Sequence, residues 1–332
     1  MDQIRILCEN TGAPADVAMG TTLKDITPMV ENGSKMLAAL VDNKLKSLNY
    51  KVINPHNVRF IDYSHPDGRR TYIRSLCFVL QKVVREMFPG KVLAIDYSLP
   101  SGLYCELREI EPMEDGRPKV YFITDDEIAE IEVRMKAIVE SDMPFVKTIL
   151  DTEEAVRIFE ANHQPEKAQL LKSIGRYRHT VYCLDGYVDT FYGPLTISTG
   201  CLTTFALMGF NDGFCLQYPL FGDTGKVLPM KRQSKLASAL KFHSDWCSLM
   251  GVHGIGKLNE IIKSGGVIDL INLSEALHEK NYAAIADQIY ARRGSVKIVF
   301  IAGPSSSGKT STSKRLALQC RILGLNPKVI EL

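Results

Sequence analysis

Residues 296–310 read VKIVFIAGPSSSGKT and join a short apolar run to a glycine-rich turn. The run 296–301 is nearly continuous and rich in β-branched residues, as expected of a strand buried on both faces. Residues 303–310 then fit the pattern G-x-x-x-x-G-K-[ST]. A helical pattern follows, with Leu316 and Cys320 on one face and Gly324 as its stop. The stretch therefore predicts a strand, a phosphate-binding loop and a helix in succession.

The residue types of this loop suit the binding of a nucleotide's phosphates. Glycines let the backbone approach phosphate closely, and the following helix N-terminus adds partial positive charge. An ordinary glycine-serine turn is the alternative, but a strand before and a helix after favour the phosphate loop. We expect Lys309 to be the catalytic lysine at the β/γ-phosphates and the Thr310 hydroxyl to bind Mg²⁺. The residues expected to hold the phosphates of ATP are Gly303, Pro304, Ser305, Ser306, Ser307, Gly308, Lys309, Thr310 and Ser311.

The position of the loop near Leu332 limits what this sequence is expected to do alone. Residues 328–332 predict a second strand of the same sheet. An enzyme with such a loop also needs a metal-holding acidic residue and a base or positioning group. We expect these past Leu332, in a longer protein, and we expect the sequence as given to be inactive or nearly so.

Composition and cysteine usage exclude several classes of protein. The chain is 45% hydrophobic and 23% charged, with a net charge of +2, so it lacks the global basic field of a dedicated nucleic-acid binder. No apolar run reaches the ~18 residues of a membrane span, and the N-terminus lacks the build of a signal peptide. The eight cysteines are scattered without a C-x-x-C pair, which predicts free thiols and a cytoplasmic protein.

Residues 1–62 predict a small α+β module. Strand-like residues 4–8, helical spacing from Leu23 to Ile26 and a hairpin around Asp42 and Asn43 follow one another. The stretches GTTLKDI (20–26) and ALVDNKL (39–45) resemble the TGS domain, a ubiquitin-like β-grasp. The resemblance implies contacts with RNA or regulatory ligands, with a structural or docking role as the open alternative.

Residues 63–225 predict a second α+β domain. Apolar residues at helical spacing indicate an amphipathic helix over 72–88, followed by strands over 91–97 and 103–107. Further helices are predicted from Thr124 and from two later acidic starts. Segments 74–89, 101–104, 143–145, 164–167 and 188–200 resemble the second additional, or editing, domain of threonyl- and alanyl-tRNA synthetases. Residues 176–179 form a basic-aromatic run that could bind nucleic acid by stacking and charge neutralisation. The alternative, which we favour, is a solvated strand edge.

The metal site of that synthetase domain does not carry over. The family's site uses one H-x-x-x-H motif on the first long helix and one later C-x-x-x-H motif. The resemblance places the four ligands of these motifs at Arg74, Phe78, Phe191 and Leu195. Zinc requires thiolate, imidazole or carboxylate ligands, which these residue types cannot supply. We therefore expect no zinc and no hydrolysis of aminoacyl-tRNA here. Arg74 could hold an anion, or serve as a structural arginine, which we favour.

Residues 226–294 predict a helical connector without strands. Helices are expected over 233–249 and 258–263, and Ser274 is expected to cap a long helix through Arg292. The stretch 251–257, GVHGIGK, resembles a phosphate loop only superficially, because no strand precedes it.

The order of these regions suggests a function. Residues 298–303, 305–310 and 327–330 resemble the uridine kinase/phosphoribulokinase group. Pro304 is a departure, because that group often has glycine at this position. The leading hypothesis is the front portion of an ATP- and Mg²⁺-dependent nucleoside kinase, with residues 295–332 beginning an α/β P-loop kinase domain. The alternative is an RNA-binding or regulatory protein related to threonyl-tRNA synthetase, with the loop as an NTP switch. An authentic editing hydrolase is disfavoured by the replaced ligands, and the oligomeric state stays open.

Overall fold

The computed structural model describes residues 3–100, 102–111, 113–114, 118–221, 224–227, 233–252 and 254–331. They fall into two compact units, Met1–Lys257 and Leu258–Leu332. The chain is a mixed α+β protein with several sheets, as predicted. Ser101, His253 and Leu332, which belong to predicted segments, lie outside the described residues.

The first sheet is built from the amino-terminal residues. Its strands are β1 (Gln3–Cys8), β2 (Ala13–Ala18), β3 (Ala38–Val41), β4 (Lys44–Lys46) and β5 (Asn57–Ile61), in the spatial order β2-β1-β5-β3-β4. The β1–β5 pair is parallel, while the other pairs are antiparallel. Asp42 and Asn43 both have positive φ, as a two-residue hairpin turn requires. Alternate residues of β1 are buried, so one face of this sheet covers a core of its own.

A short helix crosses that core. Helix α1 (Leu23–Ile26) begins at a capping box, in which Thr22 and Asp25 satisfy each other's backbone donors. Leu23 and Ile26 are both fully buried. The predicted strand, helix and hairpin of this region are confirmed, and β2 is an additional strand.

The second region packs two long helices on a sheet. The strands of this sheet are β6 (Lys91–Leu99), β7 (Gly102–Glu109), β8 (Val120–Tyr121), β12 (Ala206–Phe210) and β13 (Gly213–Gln217). They lie in the order β12-β13-β7-β6, and β8 pairs with β7. Helix α2 (Pro66–Met87) and helix α3 (Asp125–Glu140) share a core with this sheet. Helix α2 begins six residues before its predicted start, because the His65 Nδ1 caps the Asp67 N–H and Pro66 fits the first turn.

A smaller sheet carries the remaining elements of this unit. Strands β9 (Val146–Asp151), β10 (Arg178–Leu184) and β11 (Tyr187–Asp189) lie in the order β11-β10-β9. Helices α4 (Thr152–Ala161) and α5 (Pro165–Ile174) cover one face of it around Phe159 and Val181. Both helices were predicted, and His163 lies in the turn between them with a φ of 52°.

The helical stretch that follows is confirmed, with one correction. Its helices are α6 (Ser234–Leu249), α7 (Ile255–Lys263) and α8 (Val267–Ala291). The predicted cap at Ser274 is wrong, because α8 begins at Val267, and the Ser274 hydroxyl donates to the Leu270 carbonyl at 2.8 Å inside the helix.

The strands predicted around the glycine-rich loop are a second correction. Helix α9 (Lys309–Ile322) is present and packs on α8 around Ala286, Leu316 and Cys320. Residues 296–301 and 328–331 form no strand, and the Ile298 and Phe300 side chains are 70% and 82% exposed. A strand needs a neighbour to complete its ladder of hydrogen bonds, and the described part of 264–331 offers only helices and loops. The start of a P-loop kinase domain is therefore unsupported by the fold.

Candidate functional site

The four positions aligned with synthetase metal ligands lie beside one another. Phe78, on α2, is fully buried, and its ring lies 5.3 Å from that of Phe191, centroid to centroid. The Phe145 ring stacks on Phe78 at 5.6 Å, and Leu195 is 1% exposed in the same core. Aromatic and aliphatic packing thus fills the place where the resemblance puts a metal.

Arg74 bridges α2 to the segment that carries the other two positions. Its Nε and Nη2 donate to the Pro194 carbonyl at 3.2 and 3.0 Å, and Nη2 also donates to Thr71 Oγ1 at 3.1 Å. Burial lowers the pKa of Arg74 below its ordinary value. Gly193 has a φ of 146°, and a Cβ there would stand 2.8 Å from Arg74 Cζ. The guanidinium is therefore committed to protein acceptors, which supports a structural arginine over an anion site.

A buried polar group adjoins this cluster. The Lys167 ammonium donates to both Asp189 carboxylate oxygens at 2.6 and 2.7 Å, and Asp189 is only 1% exposed. Gln164 Nε2 donates to the Tyr187 hydroxyl at 2.7 Å, and burial raises the pKa of that phenol. The sequence resemblance includes Gln164, Lys167 and Asp189, but their pairing is visible only in the structure. No local sequence signal indicated it, because Lys167 and Asp189 lie 22 residues apart in the chain.

The donor set does not fit a zinc ion. Arginine, phenylalanine and leucine side chains offer no anionic or imidazole donor. In the part of the chain that the structure describes, no three His, Cys, Asp or Glu side chains come together as a metal site would need. Burial raises the pKa of the nearby Cys77 thiol to about 12, so this cysteine is held in its protonated form.

Residues 303–311 form a tight turn before α9. Ser306 and Gly308 have φ values of 60° and 80°, so the chain turns sharply at both. Gly303 lies close to the Ser307 side chain, since a Cβ at residue 303 would lie 2.6 Å from Ser307 Oγ. Lys309 Nζ donates to the Pro304 carbonyl at 2.6 Å across the turn. No side chain caps α9, so its first N–H groups face the turn without a side-chain acceptor.

The remaining residues of this expected site are exposed. Pro304, Ser305, Ser306, Ser307, Thr310 and Ser311 all present their side chains to solvent. The local turn and helix match the predicted loop, while the strand that was expected to precede them is absent.

The basic-aromatic run divides between surface and interior. The Tyr177 side chain is 82% exposed, and Arg178 Nε lies 3.2 Å from Asp151 Oδ1 on the strand surface. His179 is buried, and its Nε2 has no hydrogen-bond partner among the described residues. Burial lowers the pKa of His179 below its ordinary value. The expectation of a solvated strand edge is therefore only partly met, because Tyr177 and Arg178 are exposed while His179 is buried on β10, the central strand of its sheet.

Comparison with curated proteins finds threonine–tRNA ligases. The ligase of Carboxydothermus hydrogenoformans is 26% identical over 202 residues, which cover 60% of this chain and 30% of the ligase. The ligase of Acetivibrio thermocellus is 25% identical over 206 residues, covering 61% and 31%. The ligase of Hyphomonas neptunium is 29% identical over 195 residues, covering 58% and 28%. No family model matches the chain.

These relatives correct the leading hypothesis. The chain spans about a third of the length of the curated relatives it matches, and its homologues are threonyl-tRNA synthetases, related through their amino-terminal region. The prediction of a nucleoside kinase acting on a nucleoside substrate is wrong, because the matches over some 60% of the chain indicate a relation to tRNA synthetases. Among the described helices, none is long and apolar enough to cross a bilayer. The chain is similar to these ligases in sequence. Its own structure is a mixed α+β fold with several sheets.

Proposed function

We propose that this chain is an RNA-binding, regulatory relative of the amino-terminal region of threonine–tRNA ligases. The observation that carries the proposal is the similarity to these ligases combined with the packed state of Arg74, Phe78, Phe191 and Leu195. A scaffold that keeps its core while its four metal-ligand positions are taken by three apolar side chains and a hydrogen-bonded arginine retains a surface but no ligands for a hydrolytic metal. We place the protein in the cytoplasm, where tRNA is found.

The proposed domains follow the regions seen in the sequence. Residues 1–62 are a TGS-like β-grasp, supported by the mixed sheet with one parallel pair and a crossing helix. Residues 63–225 are the synthetase editing-like domain, residues 226–294 are a helical connector, and residues 295–332 carry the glycine-rich turn. The two front regions present the RNA-binding surface in this proposal.

The turn at 303–311 is proposed as a nucleotide switch. Its uncapped helix N-terminus and the Lys309 ammonium are suited to the phosphates of ATP, with Mg²⁺ on the Thr310 hydroxyl. The hydrogen bond from Lys309 to Pro304 would have to open when phosphate binds. That exchange gives the loop two states, which is the requirement of a switch.

Fluorescence anisotropy with a threonine tRNA tests the RNA-binding proposal. We expect saturable binding whose affinity falls by about 10²-fold between 50 and 200 mM salt, as about four phosphate contacts would give. A double-stranded DNA of matched charge is the control and should bind more weakly. Absence of saturable binding at low salt, or equal binding of the DNA, would contradict the proposal.

Calorimetry with ATP and Mg²⁺ tests the switch separately. Lys309→Ala should abolish nucleotide binding, while Lys314→Ala, an exposed lysine on the same helix, should leave it unchanged. Saturating ATP should then change the tRNA affinity of the wild-type chain and not that of Lys309→Ala. Equal ATP binding by wild type and Lys309→Ala would exclude the loop as the site and leave the RNA proposal intact.

A further inference from the structure

Strand β9 forms one edge of the sheet β11-β10-β9. Thr152 N donates to the Tyr177 carbonyl at 3.0 Å, in the same register that pairs Asp151 with Arg178. Along an antiparallel strand, the backbone N–H and C=O groups of successive residues point alternately toward one neighbouring strand and toward the other. The backbone N–H and C=O groups of Lys147 and Ile149, and the N–H of Asp151, therefore point away from β10, toward the outer edge. Asp151 is the N-cap residue of α4, so its C=O belongs to that helix.

Only the beginning of this outer edge is covered by the described chain. Phe145 N donates to the Ile197 carbonyl at 3.4 Å, and Thr199 N donates to the Met143 carbonyl at 2.9 Å. From Val146 onward the strand lies open, with the Val146 and Ile149 side chains 53% and 60% exposed. Among the described residues no strand pairs with this side of β9. An exposed apolar edge of this kind is a template for pairing with another strand.

The charges along the edge identify the strand that fits it. Lys147 and Asp151 lie two residues before and two residues after Ile149, on the same face of β9. Lys147 has no ionic partner among the described residues, and Asp151 shares its carboxylate with Arg178. Rotation by 180° about Ile149 exchanges the two positions, so the edge is complementary in charge to itself.

We propose that a second copy of this chain pairs with β9 in antiparallel fashion, centred on Ile149. Each Lys147 then faces the Asp151 of the second copy, so opposite charges stand directly across the new ladder twice. Ile149 faces its own counterpart, so both of its backbone groups gain partners, and the Asp151 N–H of one copy donates to the Lys147 carbonyl of the other. The result is a two-fold dimer with one continuous sheet through both copies.

The small size of this contact sets its strength. One short strand and two ion pairs fall at the low end of the areas that specific interfaces bury, so the dimer dissociates in the roughly micromolar range. Salt should weaken it, because both ion pairs are exposed. The dimer is independent of the RNA and nucleotide proposals.

Sedimentation velocity over a concentration series tests the charge pairing in the full chain. Lys147→Glu and Asp151→Lys should each weaken the dimer by roughly tenfold or more, since each places like charges opposite one another. A mixture of the two variants should restore the dimer, because every facing pair is then opposite in charge. Lys35 is an exposed lysine in the first sheet region, and Lys35→Glu changes the net charge by the same amount as Lys147→Glu. This control should leave the dimer unchanged.

Disulfide formation tests the register. In the proposed pairing the two Cα atoms of residue 149 are about 5.5 Å apart, within disulfide range, whereas those of residue 146 are roughly 20 Å apart. Ile149→Cys should form an oxidised dimer on mild oxidation, and Val146→Cys and the wild type should not. A monomeric wild type at several hundred micromolar, a dimer indifferent to the charge variants, or equal crosslinking by both cysteine variants would each overturn the proposal.

Discussion

Replacing Phe78 with alanine tests whether this position, which aligns with a metal ligand, belongs to a closed aromatic core. Phe78 is fully buried on α2, and its ring centroid lies within 5.3 to 5.8 Å of the Phe191, Phe145 and Tyr187 rings. An open hydrolytic pocket would tolerate the loss of this ring. A closed aromatic core would not.

The magnitude follows from the burial and the ring contacts. Truncating a buried phenylalanine to alanine costs about 3–5 kcal/mol of the free energy of unfolding, including the cavity left behind. Since each aromatic pair contributes about 0.5–1.5 kcal/mol beyond its buried area, three neighbouring rings place Phe78 toward the upper end. A unit of this size loses about 2–4 °C of melting temperature per kcal/mol, so the expected fall is roughly 6–20 °C.

Scanning calorimetry of the full chain is the assay, because two compact units can give two transitions. Phe122→Ala is the control, since that ring is 71% exposed and its loss should shift no transition measurably. Phe78→His adds a second readout: imidazole buried among rings should destabilise, and added zinc should not restore the melting temperature. A fall below about 2 °C for Phe78→Ala, or rescue of Phe78→His by zinc, would refute the packed-site interpretation.

Three further predictions address the loop, the ionisation of a buried phenol and the helix starts. Lys309→Ala should remove the bond to Pro304 without shifting any melting transition by more than about 2 °C, because the loop is exposed; a larger shift would make the lysine structural. Burial raises the pKa of Tyr72 to about 12, so its contribution to stability is fully present below pH 10 and is lost as pH rises from 10 to 12. Tyr72→Phe should flatten the decline of melting temperature over that interval, and an unchanged slope would contradict the assignment. Thr124→Ala removes a capping box and should cost about 1 kcal/mol, whereas Ser274→Ala, inside α8, should cost less than about 0.5 kcal/mol; equal losses in calorimetry would count against the observed start of α8.

Much of the fold could be predicted from local patterns in the sequence. The capping box at Thr124 and the apolar spacing of α3 were readable, because both depend on neighbours three or four residues away. The start of α2 was not, since the cap is a histidine, which is not among the usual capping residues. Ser274 was wrongly predicted to cap a helix, because a good capping residue can also lie within a helix and donate to the preceding turn.

Long-range pairing accounts for the rest of the differences. The run 296–301 has strand composition, yet composition cannot provide the neighbouring strand that a ladder needs. The meeting of Arg74, Phe78, Phe191 and Leu195 was inferred from resemblance, and the contacts between them come from the structure alone. The glycine-rich loop was recognised correctly as a turn before a helix, but a short motif did not determine the function of the chain.

Binding of tRNA with and without zinc distinguishes a packed RNA-binding scaffold from a metal-dependent one. The purified chain would be stripped with a chelator and titrated with threonine tRNA by anisotropy, and the titration would be repeated after zinc is added back. We expect one saturable isotherm with the same affinity in both conditions, because Arg74, Phe78, Phe191 and Leu195 hold the site together without metal. No saturable binding, or binding that appears only with stoichiometric zinc, would contradict it.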